Sequence, residues 1–259
     1  MAGNGSKSRS STLEEFRILC DRPQSGDQNM ETDRFWLERA EILKEPLTVI
    51  RFYRWDKPTI SLGMHQKATK AVDLAYCDEA GIPTVSRPTG GRAVLHGNEL
   101  TYSVVSNDVE IFPSQGLIPV YQLIAKCLEG GLHELGIRAT QRNDERTSAV
   151  GSLYDWTKPC FISPSRHELV YRGRKLVGSA QRRLKRSFLQ HGSVPIEIDY
   201  EVMGRALRFD VATLRRSMIS VREAAGRPIT FEELASAFAF SFRQQLSPEK
   251  RSRITSRYR

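Results

Sequence analysis

The sequence predicts an α+β fold: a mainly antiparallel or mixed β-sheet with flanking helices. Three observations lead there. Short runs rich in β-branched and aromatic residues, bounded by Gly or Pro, recur from Leu47 to Ile198, as strands do. Two other segments, Gly116–Gly136 and Thr230–Leu246, space their apolar residues at the helical period. Strict strand–helix alternation is rare, which argues against a doubly wound parallel sheet.

Taken in order, "METDRFWLERA" (Met30–Ala40) sets Phe35, Leu37 and Ala40 among charges and reads as an amphipathic helix. "LTVIRFYRW" and "PTISLGMH", bounded by Pro58 and Gly63, read as paired strands. Ile82–Ser106 reads as strand, glycine turn, strand, tight turn at Gly97-Asn98, and strand again. The helix that follows puts Val120, Leu123, Ile124, Cys127 and Leu128 on one face, which makes Cys127 a core residue. In "RHELVYRGRKLVGSAQ" the Arg172-Gly173 pair marks a hairpin turn, and "RSFLQHGSVPIEI" supplies another strand. The last helix opens with Thr230 and Glu233 in capping-box spacing, then places Phe231, Leu234, Phe238 and Phe242 along one face.

The 259 residues suffice for one large core, or one core with a small appendage. The expected division is a tail over 1–12, a main domain over 25–210, a helical appendage over 211–246 and a basic tail over 247–259. No apolar run approaches the ~20 residues of a membrane span. The start "MAGNGSKSRSST" lacks the apolar stretch of a secretory signal. Cys20, Cys77, Cys127 and Cys160 lie far apart with no C-x-x-C pair, which suits neither a zinc site nor a disulfide framework. A cytoplasmic protein with free thiols is expected, acting as a monomer away from membranes. The net charge of +9 raises nucleic acid as a partner, but much of it sits at the ends, with six Lys/Arg against one Glu in residues 243–259. Arg172–Arg186 is different, with seven basic and no acidic residues, and such a strip attracts acidic partners.

"RPTGGRAVLH" (Arg87–His96) is the most informative loop. Paired glycines let a ligand approach main-chain N–H groups, and Arg92 and His96 can each polarise a carbonyl or bind an anion. It is not a Walker loop. "KLVGSAQ" places Lys175 ahead of the small residues Gly178, Ser179 and Ala180, which suit close backbone packing or a groove for a methylene chain. Cys160 precedes that hairpin. A free cysteine is commonly a small buried hydrophobe, whereas beside an ammonium it becomes a reactive thiolate. His191 follows in "LQHGSVP", and no G-x-S-x-G nucleophile elbow occurs.

Together, "RPTGGRAVLH", "ELTYSV", "KPCFISPSRHEL", "GRKLVGSAQRR" and "LQHGSVPIEID" closely resemble the lipoate–protein ligase and biotin–protein ligase catalytic superfamily. Within it they resemble the Gram-positive-type octanoyl-acyl-carrier-protein:protein octanoyltransferases. The resemblance spans roughly residues 25–245 and implies that superfamily's catalytic-domain fold. It implies transfer of octanoate from acyl carrier protein to an enzyme cysteine, then to a lysine of a lipoyl domain such as the glycine cleavage H protein, with no further cofactor. By the same resemblance the nucleophile falls on Cys160 and its assistant on Lys175. Gly90, Gly91 and Arg92, flanked by Arg87 and His96, would line the acyl site with Gly178, Ser179 and Ala180. His167 stands where an aromatic residue is expected and is assigned no role. Exchange between thioesters is nearly balanced in energy and needs only a thiolate, which a nearby ammonium favours. An ATP-dependent lipoate ligase is the alternative within the superfamily, and a basic nucleic-acid-binding module the alternative outside it. The module lacks aromatics interleaved with its charges.

Overall fold

The structure is a computed structural model and is described here over residues 16–112, 116–142 and 168–247. In chain order come β1 (Arg17–Cys20), α1 (Gly26–Ile42), β2 (Thr48–Tyr53), β3 (Thr59–Leu62), α2 (Ala68–Ala71) and α3 (Leu74–Glu79). Next are β4 (Thr84–Ser86), β5 (Val94–His96), β6 (Glu99–Ser106), α4 (Leu117–Glu134) and β7 (Thr140–Gln141). The chain continues through β8 (Leu169–Tyr171), β9 (Arg174–Arg183), β10 (Phe188–Pro195), α5 (Tyr200–Ala206), α6 (Val211–Ser217), α7 (Val221–Ala225) and α8 (Phe231–Gln245).

The strands form a seven-stranded sheet, ordered β1-β2-β6-β10-β9-β8-β7, and a three-stranded sheet, β4-β3-β5. β1 lies parallel to β2 and β4 parallel to β3, while the other pairs are antiparallel. This is the mixed sheet with flanking helices that the sequence predicts. One expectation fails: β2 and β3 are not partners. β2 is buried along its whole length and hydrogen-bonds β1 on one edge and β6 on the other. Neither edge is left for β3, so the link through Trp55 and Pro58 carries the chain into the small sheet. The Arg172-Gly173 turn forms as predicted, with φ of +50° and +78°, the left-handed pair that a two-residue hairpin requires.

The register gives the large sheet two unlike faces. Ile50, Phe52, Leu100, Tyr102 and Val104 join α4 and α8 in the main apolar core. α4 buries the predicted face, Cys127 included, and α8 buries Phe231, Leu234, Phe238 and Phe242. Residues 211–246, expected as an appendage, thus supply part of the central core through α8. Thr230 caps α8 by accepting from the Glu233 N–H at 3.1 Å, while the Glu233 carboxylate turns to Arg227. The opposite face presents Arg51, Tyr53, Thr101, Ser103, His191 and Ser193, and α1 packs across it with Leu37 and Ala40 against Val105 of β6 and Leu189 of β10. Phe35, expected on the buried stripe of α1, is 58% exposed, and Asp33 is buried in its stead. The small sheet has its own core with α5 and α6, in which Ile60, Val72, Cys77, Met203, Leu207 and Leu214 meet.

Candidate active site

A narrow cavity of about 40 Å³ opens between the two sheets, lined by Met30, Tyr53, Trp55 and Val94 on its apolar side. Gly178, Ser179 and Ala180 of β9 and Gly192 of β10 form the other wall. At Gly192 a side chain is excluded, because a Cβ would stand 2.3 Å from the Gly178 carbonyl oxygen. Arg87, His96 and His191 complete the lining. The structure therefore gathers Arg87, His96, Gly178, Ser179 and Ala180, called from separate motifs, around one space.

The glycine turn borders it, and Arg87 holds the turn's shape. Its Nη1 donates to the carbonyl and hydroxyl of Ser61 at 2.9 and 3.1 Å. Nη2 donates to the carbonyls of Gly90 and Arg92 at 2.9 and 2.7 Å, and Nε also reaches Gly90 O at 3.2 Å. These bonds hold the loop rather than a ligand. Gly91 sits at φ +96°, open to glycine at no steric cost. Gly63 is equally constrained, since a Cβ there would stand 2.0 Å from the Gly91 carbonyl oxygen. Among the described residues, the Gly90 and Gly91 N–H groups donate to no acceptor. Such donors at a turn can hold the oxygen of a reacting carbonyl. Arg92 is buried beside them.

Two histidines brace the turn from below. His96 stacks on Trp55 at 4.0 Å between ring centroids, with Nδ1 2.8 Å from Glu99 Oε1 and Nε2 2.7 Å from Ser61 Oγ. With Nδ1–H donating to Glu99, the ring is held between that carboxylate and the Ser61 hydroxyl. Burial pushes the Glu99 carboxyl up, but His96, Thr101 and Ser193 together hold it below the usual carboxylate range. His191 Nδ1 lies 2.9 Å from Asp33 Oδ2 and Nε2 2.6 Å from Thr89 Oγ1. Asp33 also accepts from Arg51 and from the Tyr53 hydroxyl. Burial, followed by Arg87 and His96, pulls His191 below its ordinary value despite the pull of Asp33. The ring is accordingly neutral, with its proton on Nδ1 and Thr89 donating to Nε2. On the far side of β10, Gln190 donates to the Tyr102 hydroxyl, which lies 2.7 Å from Ser179 Oγ. Burial pushes that phenol up to about 12, so it stays a donor.

Lys175 is buried on β9, and its ammonium donates to Glu168 Oε1 at 2.5 Å. Cys160 and His167 lie outside the described residues. Sequence reasoning missed Ser61, Asp33, Thr89, Glu99 and Glu168. Asp33 alone carried a signal: an acid at helical spacing within the stripe of Met30, Leu37 and Ala40 is out of place unless paired. The others show only when the tertiary contacts are in place.

The family model for the lipoyl protein ligase A/B catalytic domain matches residues 25–243. The chain belongs to that family. It is 36% identical over 238 residues to octanoyltransferase LipM of Carboxydothermus hydrogenoformans, covering 89% of this chain and 86% of that protein. To octanoyltransferase LipM of Brevibacillus brevis it is 36% identical over 252 residues, covering 92% and 89%. Among solved structures it resembles lipoate-protein ligase A bound with ATP, with a TM-score of 0.69 and 23% identity over 89% of this chain and 85% of that one. A bipartite lipoate protein ligase of Thermoplasma acidophilum gives a TM-score of 0.66 at 21% identity, covering 89% and 83%. These two similarities show the shared fold. Among the described residues, no helix is long and apolar enough to cross a membrane.

Proposed function

We propose that this protein is an octanoyltransferase of lipoate biosynthesis. It takes octanoate from octanoyl-acyl carrier protein onto Cys160 as a thioester and passes it to the target lysine of a lipoyl domain, such as the glycine cleavage H protein. The octanoyl group rests on the two LipM relatives that span nearly the whole chain. Acyl transfer rests on one feature of the site: a narrow, largely apolar slot ending at a glycine turn whose two N–H groups have no acceptor among the described residues.

The donor's acyl tail enters the slot between Met30, Trp55 and the β9 glycine-serine-alanine wall. The thioester carbonyl oxygen lies against the Gly90 and Gly91 N–H groups, where charge develops as the thiolate adds. The Lys175 ammonium favours the thiolate form of Cys160. Its pairing with Glu168 holds it in one place within a buried setting and limits the desolvation cost of that charge. The pantetheine thiolate leaves, and the lipoyl-domain amine then attacks the enzyme thioester. Its N–C bond forms as the C–S bond breaks, and Cys160 is regenerated. The basic strip of β9 and the turn after it, Arg182, Arg183, Lys185 and Arg186, faces the acidic donor. Arg182 ties the strip to the site by donating to the Pro88 carbonyl at 3.1 Å.

Intact mass spectrometry after mixing the protein with octanoyl-acyl carrier protein tests this reading. The expected product is one octanoyl adduct on Cys160, absent in Cys160→Ser and retained in Cys77→Ser and Cys127→Ser. Acylation of a lipoyl domain that requires ATP and free octanoate, and survives Cys160→Ser, would replace it with the ligase reading.

A further inference from the structure

The second transfer step needs a proton acceptor. As the neutral amine adds to the carbonyl, its nitrogen gains positive charge and must lose a proton before the amide forms. Nothing above supplies that acceptor, since Lys175 is a buried ammonium paired with Glu168. Another group fits. Asp33, His191 and Thr89 stand in the geometry of a carboxylate–imidazole–hydroxyl relay, 2.9 and 2.6 Å apart. His191 lines the cavity, and Thr89 directly precedes the Gly90-Gly91 donors.

We propose that His191 is the general base of the amine-acylating half-reaction, oriented by Asp33, and that it has no such part in loading the enzyme. This rests on the octanoyltransferase reading. The amine displaces the Thr89 hydroxyl from Nε2. The N–C bond forms while the carbonyl π pair moves to oxygen, and the proton on nitrogen passes to Nε2. The oxygen pair then re-forms C=O, the C–S bond breaks, and sulfur leaves as thiolate with its electrons. The imidazolium is stabilised by Asp33 and afterwards gives its proton to solvent. Loading is an exchange between two sulfurs and needs no such base once the thiolate is formed.

The charged and titratable groups around His191 fit the role. From α1 comes Asp33, itself held ionised by Arg51 of β2 and bonded to the Tyr53 hydroxyl. Arg87 of the loop and His96 of β5, the latter paired with Glu99 of β6, oppose a resting positive charge. The base is therefore neutral at the start of the step. It titrates below the ordinary histidine value, so the transfer rate falls as pH drops through that lowered value.

The test separates the half-reactions in single turnover on the full chain, following thioester formation by mass and then transfer to an added lipoyl domain. His191→Gln is expected to lower transfer ~100-fold or more, the usual share of a general base, with loading down less than tenfold. The acid limb of the transfer profile disappears in the variant. His191→Asn, which keeps an amide toward Asp33, should behave alike, and added imidazole should partly restore transfer in His191→Ala. Thr89→Val removes the resting hydrogen bond but keeps the base, so its acid limb should persist. Equal losses in both half-reactions, or an acid limb retained in His191→Gln, would reduce His191 to a brace of the glycine turn. Failure of the wild-type protein to load octanoate would instead strike the octanoyltransferase reading itself.

Discussion

The two faces of the seven-stranded sheet are equally buried but built from opposite chemistry. Toward α4 and α8, side chains such as Ile50, Phe52, Ile124, Leu128 and Phe238 make a dry core. Toward α1 and the small sheet, the same strands bury Arg51, Ser103, His191 and Ser193, each under 6% exposed. Alternation along β2, β6 and β10 sends successive residues to these two environments. The dry face gains stability by removing apolar surface from water. The polar face is tolerated because its charged groups and histidines are paired, Arg51 and His191 with Asp33 and Ser193 with Glu99, and such pairs fix the glycine turn and the histidines. One face holds the fold together, and the other lines the candidate site.

Removing one large side chain from each face should break the comparison most sharply. Phe238→Ala is expected to cost ~3–5 kcal/mol of stability while leaving activity per folded molecule near wild type. Arg51→Met strands the buried Asp33 carboxylate, which now accepts from Arg51 and Tyr53. It should cost a similar ~3–5 kcal/mol and also lose activity, because Asp33 orients His191. Denaturant melts paired with single-turnover rates check both. Equal activity losses in the two variants would mean that the faces are not functionally distinct.

A smaller effect on stability with a large one on activity is expected at Gly63. A Cβ there would meet the Gly91 carbonyl oxygen at 2.0 Å, so Gly63→Ala must push the turn aside. Overpacking of this kind costs ~1–3 kcal/mol, whereas the misplaced N–H donors should lower loading by ~100-fold, the usual share of one oxyanion donor. Thioester formation, followed by mass, reads it.

Acid should weaken the polar face in two stages. His191 has a lowered folded value, so the stability it contributes is present above the ordinary ~6.5 and is lost as pH falls from there toward the folded value. Asp33 and Glu99 are held below the carboxylate range, so their contribution persists to lower pH and is lost as pH falls through their folded values, below ~4. Thermal midpoints taken across this range should decline in both windows. His191→Gln should flatten the upper one alone.

The smallest effect concerns the exterior. Replacing Arg182, Arg183, Lys185 and Arg186 by glutamine should raise the KM for octanoyl-acyl carrier protein several-fold, change kcat less, and reduce the dependence of the rate on salt. A quadruple variant with unaltered kinetics and salt response would make the strip a solvated surface.

Much of the fold was legible because its signals are local. The α4 and α8 stripes, the Thr230 cap and the Arg172-Gly173 turn all arise from residues a few positions apart. The pairing of β2 with β3 was misread because adjacency in sequence cannot reveal that both edges of β2 are taken by β1 and β6. Phe35 was misplaced for a related reason. The buried stripe of α1 includes a charged residue, Asp33, whose partners come from β2 and β10.

The candidate site divides in the same way. The sequence by itself determined the candidates: the glycine pair, Lys175, the small residues of β9 and His96, with His191 noted but given no role. Only the tertiary structure decided which of them meet. His191 and Asp33 are 158 positions apart, His191 and Thr89 are 102, and Arg87 reaches Ser61 across 26. The physical reason is that a buried polar group must find a partner or lose its hydration uncompensated. Strand order and register, set by the whole sheet, determine which partner lies within reach.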